Sequence, residues 1–182
     1  MATAYYEMIA VVPGLPCAPP LMAVENAGGA GGLYFAGGGP IVVGHQDVRD
    51  LAVRYVQAFV CSDLRFVPRK AINQAYALVY GRILAHEFGH ALDEAGFDAP
   101  FCHQEARADY LAGKIDAARG KDPTLGARLF WSIGCEGPSC THPSHDARAE
   151  AYLRGYWDFN RVGAVNPRRL LTNLMTRRKI CI

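Results

Sequence analysis

The segment RILAHEFGHALDE, residues 82–94, constrains this chain more than any other. His86 and His90 stand four residues apart, with Glu87 beside the first. A four-residue step turns an α-helix by about 400°, so both imidazoles leave one face a single turn apart. Two imidazoles so placed can grip one tetrahedral ion. Glu87, about 100° further round, sits beside such an ion, where it can take a proton from water. The geometry exists only if the segment is helical, and the aliphatic residues on both sides require that helix to be buried. Ile72, Ala75, Val79, Ile83, His86 and His90 recur at steps of three and four, which predicts a long helix over 70–95 with Gly96 as its stop.

A catalytic zinc takes three protein ligands and keeps one position open. The extended pattern HExxHxxGxxH needs glycine at 93 and histidine at 96; the chain has Asp93 and Gly96, which excludes that class. A deformylase-like site uses a cysteine upstream of the helix, whereas GCEG at 134–137 lies downstream and in another order. The better source is EARADYLAG, 105–113, where Glu105 and Asp109 are one helical turn apart. Glu105 is the expected carboxylate ligand. Asp109 is expected to accept the N–H of a ligand histidine, which fixes its tautomer. The bland alternative is a solvated acidic pair with Arg107 between.

Together, HEFGH, EARAD and THPSHDAR (141–148), preceded by LYFAGGGPIVVG (33–44), resemble the catalytic core of the gluzincin-type zinc metallopeptidases related to HtpX and the CAAX prenyl endopeptidases. ADYLAG also looks like the corresponding helix of soluble neutral zinc peptidases. The resemblance covers about residues 33–157. It implies a zincin-like α+β fold, an edge strand that binds substrate, and endopeptidase activity. It implies zinc held by His86, His90 and Glu105, Glu87 as general base, and His142 near the transition state. Members of that group usually carry membrane helices, and this chain has no apolar run of the roughly 18–20 residues needed to span a bilayer.

His142 has two readings. It can donate a hydrogen bond to the oxyanion formed when water attacks a carbonyl, or the THP tripeptide can simply start the next helix, capped by Thr141 or Ser144. Arg148 is expected near Asp109 or Glu150. His45, His103 and His145 read as surface or core histidines, and Tyr110 as core.

Around these motifs the organisation is that of one mainly helical α+β domain. Residues 1–32, with PGLPCAPP and NAGGAGG, read as a Pro/Gly-rich, loop-like lead-in. Residues 33–160 form the expected catalytic core and 161–182 a basic C-terminal extension. Two short strands are expected in 33–43 around a glycine turn. Helices are expected over 48–61, with Asp47 as N-cap, and over 103–119, 123–133 and 144–158. A substrate peptide is expected to lie extended beside the strand at 40–43, with the glycine run 37–39 letting its backbone approach.

Net charge is +2, so nothing demands a nucleic acid, and no membrane insertion is expected. The N-terminus lacks a basic, uninterrupted apolar leader, which makes a cytoplasmic location the default. Six cysteines without a CxxC pair make a structural zinc knuckle unlikely to form and leave an extracytoplasmic, disulfide-bonded protein open, with Cys135 and Cys140 close enough to close a loop. Buried small hydrophobes are the competing reading of those cysteines. Cys102, close to Glu105 in sequence, has two readings: an occupant of the open zinc position, or a plain buried cysteine.

The expected activity is therefore zinc-dependent hydrolysis of peptide bonds in a protein or peptide substrate. The alternatives are a non-proteolytic binding or scaffold protein on a latent metallopeptidase fold, and a hydrolase of a non-peptide amide.

Overall fold

The structure, a computed structural model, describes residues 2–12, 17–29, 31–135 and 142–160. The C-terminal extension 161–182 and Cys140 lie outside the described residues. Among the described residues six α-helices and a three-stranded sheet are formed: α1 (Ala2–Val11), β1 (Leu21–Val24), β2 (Gly32–Tyr34), β3 (Ile41–Gly44), α2 (His45–Phe59), α3 (Arg69–Glu94), α4 (Gln104–Ala118), α5 (Pro123–Ser132) and α6 (His145–Asn160), with a 3-10 turn at Leu64–Phe66. Among the described residues no helix is long and apolar enough to cross a membrane.

Helix α3 is the axis of the molecule. Every residue from Val79 to Gly89 is buried, so this stretch is packed on all sides rather than along one stripe. Its small residues let neighbours close in. A Cβ on Gly89, inside HEFGH, would lie 2.9 Å from the Cα of Ala108 and collide with its carbonyl oxygen. That contact sets how near α4 comes to α3, and hence how near the carboxylates of α4 come to the histidines. Gly96, at φ +85°, ends the helix as expected. The core beneath is Leu84, Phe88, Leu111, Leu129, Phe130, Tyr152 and Leu153, with Ile41, Val43, Val48 and Val56 from the sheet and α2.

Two polar layers cross this core on the same three helices. One joins His86, Asp109 and Arg148. The other lies one turn earlier on α3. There Arg82 sits 3.0 Å from the fully buried Asp116 of α4, which also accepts from the Tyr152 hydroxyl of α6 at 2.9 Å.

Three expectations need correction. The lead-in is not only loop: α1 inserts Met8, fully buried, into the core, and β1 pairs in parallel with β3 from Leu21↔Ile41 to Val24↔Gly44. Pairing by β1 makes β3 the central strand, in the order β1-β3-β2, so the segment 40–43 has no free edge for a substrate. Gly37 and Gly38, at φ +80° and +74°, form the turn between β2 and β3 instead. Finally, α2 begins at His45 with Gly44 as its N-cap. Asp47 lies in its first turn and accepts from the backbone N–H groups of Ala27 and Gly29, holding the β1–β2 connection.

Cys61 and Cys135 each take part in a disulfide, whereas Cys17 and Cys102 are free and exposed. Pairing of Cys135 with Cys140 falls outside the described residues.

Candidate metal centre

Helix α3 presents His86 and His90 with their Nε2 atoms 3.1 Å apart. The first turn of α4 brings Glu105 to them, at 3.2 Å from His86 Nε2 and 3.4 Å from His90 Nε2. Helix α4 starts there because His103 is its N-cap, its ring accepting the Glu105 backbone N–H at 3.2 Å. Metal–ligand bonds of about 2.0–2.1 Å in a tetrahedron imply donor separations of about 3.3 Å. The three donors therefore fit a small divalent ion, and two imidazoles with one carboxylate is a donor set that zinc accepts.

Behind the donors stands a buried clamp. Asp109, fully buried, approaches His86 Nδ1 at 2.8 Å. Its two oxygens also accept Arg148 Nη2 at 2.7 Å and Nε at 2.8 Å, a bidentate pair. Arg148 comes from α6, whose first turn is capped by Ser144: the Ser144 hydroxyl accepts from the Ala147 N–H. Arg148 Nη2 also lies 3.9 Å from Glu105. Two carboxylates and one guanidinium thus fix both the tautomer and the orientation of His86.

The charges of this cluster are displaced far from their ordinary values. Burial opposes protonation of His86, but Asp109 and Glu105 outweigh it and raise its pKa to about 9. Burial and the charge on His86 lower His90 to about 4. Burial resists ionisation of Glu105, yet His86, His90 and Arg148 hold it down at about 2. Without an ion, then, the histidine pair carries one positive charge, on His86, facing an ionised Glu105.

Glu87 is 5% exposed, and burial pushes its carboxyl up to about 7 against the pull of His86. It accepts a hydrogen bond from the backbone N–H of Tyr34 in β2. Gly32 makes this contact possible: a Cβ there would lie 2.7 Å from Ile83 and 2.9 Å from Glu87. Strand β2 is antiparallel to β3, with Gly31 and Phe35 bonded across the pair, so the backbone groups of Gly32 and Tyr34 face its open edge. The strand is held in place by Glu94, which accepts the Tyr34 hydroxyl and the Gly37 N–H, both at 2.6 Å.

The result is a cleft of about 470 Å³, with His86, Glu87, His90 and Glu105 on its floor, β2 along one side, and Ile133 and His142 opposite. His142 is 45% exposed at the rim, its Nε2 3.6 Å from Glu105. All seven site residues expected from the sequence are thus brought together, and Arg148 pairs with Asp109. Cys102 is neither buried nor part of the cleft lining. His45 bonds Tyr76, His145 stacks on Trp131, and Tyr110 donates to Asp158 away from the cleft. The sequence reading missed Gly32, Tyr34 and Glu94. Nothing local marks them, because their roles arise from where β2 lands on α3.

Comparison with protein-family models, curated proteins and solved structures finds no match.

Proposed function

We propose that this chain is a zinc-dependent endopeptidase of the gluzincin type. The observation that carries the reading is the joint placement of three donors at tetrahedral spacing, a buried carboxylate beside them, and an open strand edge above. Zinc, when bound, supplies Lewis acidity toward a water molecule and a carbonyl oxygen. The remaining work belongs to the chain. Glu87, kept in a water-poor pocket that raises its proton affinity, accepts a proton from the attacking water and delivers it to the leaving amine. Gly32 and the carbonyl of Tyr34 offer backbone groups to an extended peptide at the edge of β2. This replaces the segment 40–43 as the docking strand. His142, on the opposite wall, donates to the carbonyl oxygen of the bond being cut. Asp109 and Arg148 touch no substrate; they position His86.

The disulfide-bonded Cys61 and Cys135 favour an oxidising, extracytoplasmic compartment over the cytoplasmic default.

Metal analysis paired with a casein-cleavage assay on wild type and Glu87→Gln tests the proposal. The expected result is about one zinc per chain in both proteins and hydrolysis in the wild type alone. A variant that still cuts casein, or a wild type that binds no zinc, refutes it.

A further inference from the structure

A second cleft, of about 420 Å³, opens between α1, α3 and the end of α4, and it shares no lining residue with the metal cleft. Arg82, Arg119 and Lys121 line it, with Tyr76 and Tyr80, whose rings stack at 6.3 Å and 26°. Two buried polar atoms of these residues have no partner, the Tyr80 hydroxyl and Arg119 Nε, whereas Arg82 Nε faces Asp116 at 3.0 Å. Buried donors are rarely left unsatisfied, and two on residues that line one cavity point to an acceptor beside them.

The acidic groups nearby are already engaged. Asp116 is shared by Arg82 at 3.0 Å, Arg119 at 3.4 Å and the Tyr152 hydroxyl at 2.9 Å. The exposed Glu7 of α1 meets Arg119 at 2.7 Å and Lys121 at 3.5 Å. Three cations against two carboxylates leave one positive charge in excess. Both arginine side chains are under a tenth exposed, so the excess sits in a poorly solvated place where an anion is held more strongly than at the surface.

We propose that this cleft binds a small oxyanion, a carboxylate or a phosphate, against Arg119, Lys121 and the Tyr80 hydroxyl. The site is independent of the metal chemistry, since it uses none of the same side chains.

Calorimetric titration of the full chain, as purified and at constant ionic strength, tests the proposal. Benzoate and inorganic phosphate serve as probes, and chloride as the control. One-site binding of either probe is expected, with Kd at or below about 1 mM. Benzoate alone identifies a carboxylate site, and phosphate alone a phosphate site. Arg119→Gln and Tyr80→Phe should each weaken binding about tenfold, in line with loss of a hydrogen bond to a charged group. Zinc content should not change. If Arg119→Gln does not fold, Tyr80→Phe and the half-exposed Lys121→Gln carry the test. No saturable binding of either probe into the tens of millimolar, or unchanged binding in the folded variants, overturns the proposal and leaves the cleft to water.

Discussion

Removing the metal should turn this protein into one that weakens as the solution becomes alkaline. In the metal-free chain the buried His86 titrates at about 9, well above its ordinary value near 6.5, because Asp109 and Glu105 hold its proton. Between those two pH values the native state binds one more proton than the unfolded state. Stability is therefore fully present below about 6.5 and is lost as pH rises through about 9. At roughly 1.4 kcal/mol per pH unit, that window is worth about 3 kcal/mol. For a chain of this size the loss corresponds to a fall in Tm of about 6–12 °C. Below pH 6.5 His90, lowered to about 4, acts in the opposite sense, but Glu87, raised to about 7, offsets it, so no comparable loss is expected on mild acidification. The zinc-loaded protein should lack the alkaline loss, since the ion takes the place of the His86 proton. Two measurements check this. Scanning calorimetry of the chelated and zinc-loaded chain from pH 6 to 9.5 reads the slopes. Titration of zinc into the chelated chain at pH 7.5, in buffers of different ionisation enthalpy, reads the release of about one proton. A metal-free Tm that is flat or rising between pH 6.5 and 9, together with no proton released on zinc binding, refutes the reasoning.

Asp109→Asn should weaken zinc binding about 10–100-fold. It should also destabilise the fold by about 3–5 kcal/mol, because Arg148 is left buried without its bidentate partner; competition with a chelator and urea unfolding measure the two effects. Gly89→Ala should cost about 1–3 kcal/mol by pushing α4 off α3, with a parallel loss of zinc affinity as Glu105 retreats. His142→Ala should leave zinc content and fold intact, since the side chain sits at the exposed rim, while kcat for casein falls by about 100-fold or more with little change in KM. A change confined to KM would make His142 a binding residue only.

The clustering of the candidate ligands was largely legible because its signals are local. A four-residue repeat puts His86 and His90 on one face, and the same repeat puts Glu105 and Asp109 on one face, whatever the rest of the chain does. Gly96 and the Asp122-Pro123 start of α5 likewise declare helix ends through backbone chemistry. The sheet was less legible, for a traceable reason. Strand β1 is four residues inside a stretch whose Pro and Gly content speaks for loop, and its stability comes from pairing with β3, not from its own sequence. Once β1 is missed, β3 has a vacant side and the wrong strand becomes the edge. Asp47 was misjudged in the same way, since its partners, Ala27 and Gly29, lie on the unforeseen connection. Tyr34 and Gly32 matter only because β2 is laid over Glu87, a long-range outcome with no pattern along the chain.

The Arg82–Asp116–Tyr152 set lies on the same three helices as His86, Asp109 and Arg148. Any helix that slid or rolled would have to surrender polar partners at two heights simultaneously, so the trio is pinned like a beam bolted at two points. Such a frame holds its donor atoms in wait whether or not an ion has arrived. Metal uptake by this chain should accordingly resemble docking into a finished socket, with a heat-capacity change too small for any folding event.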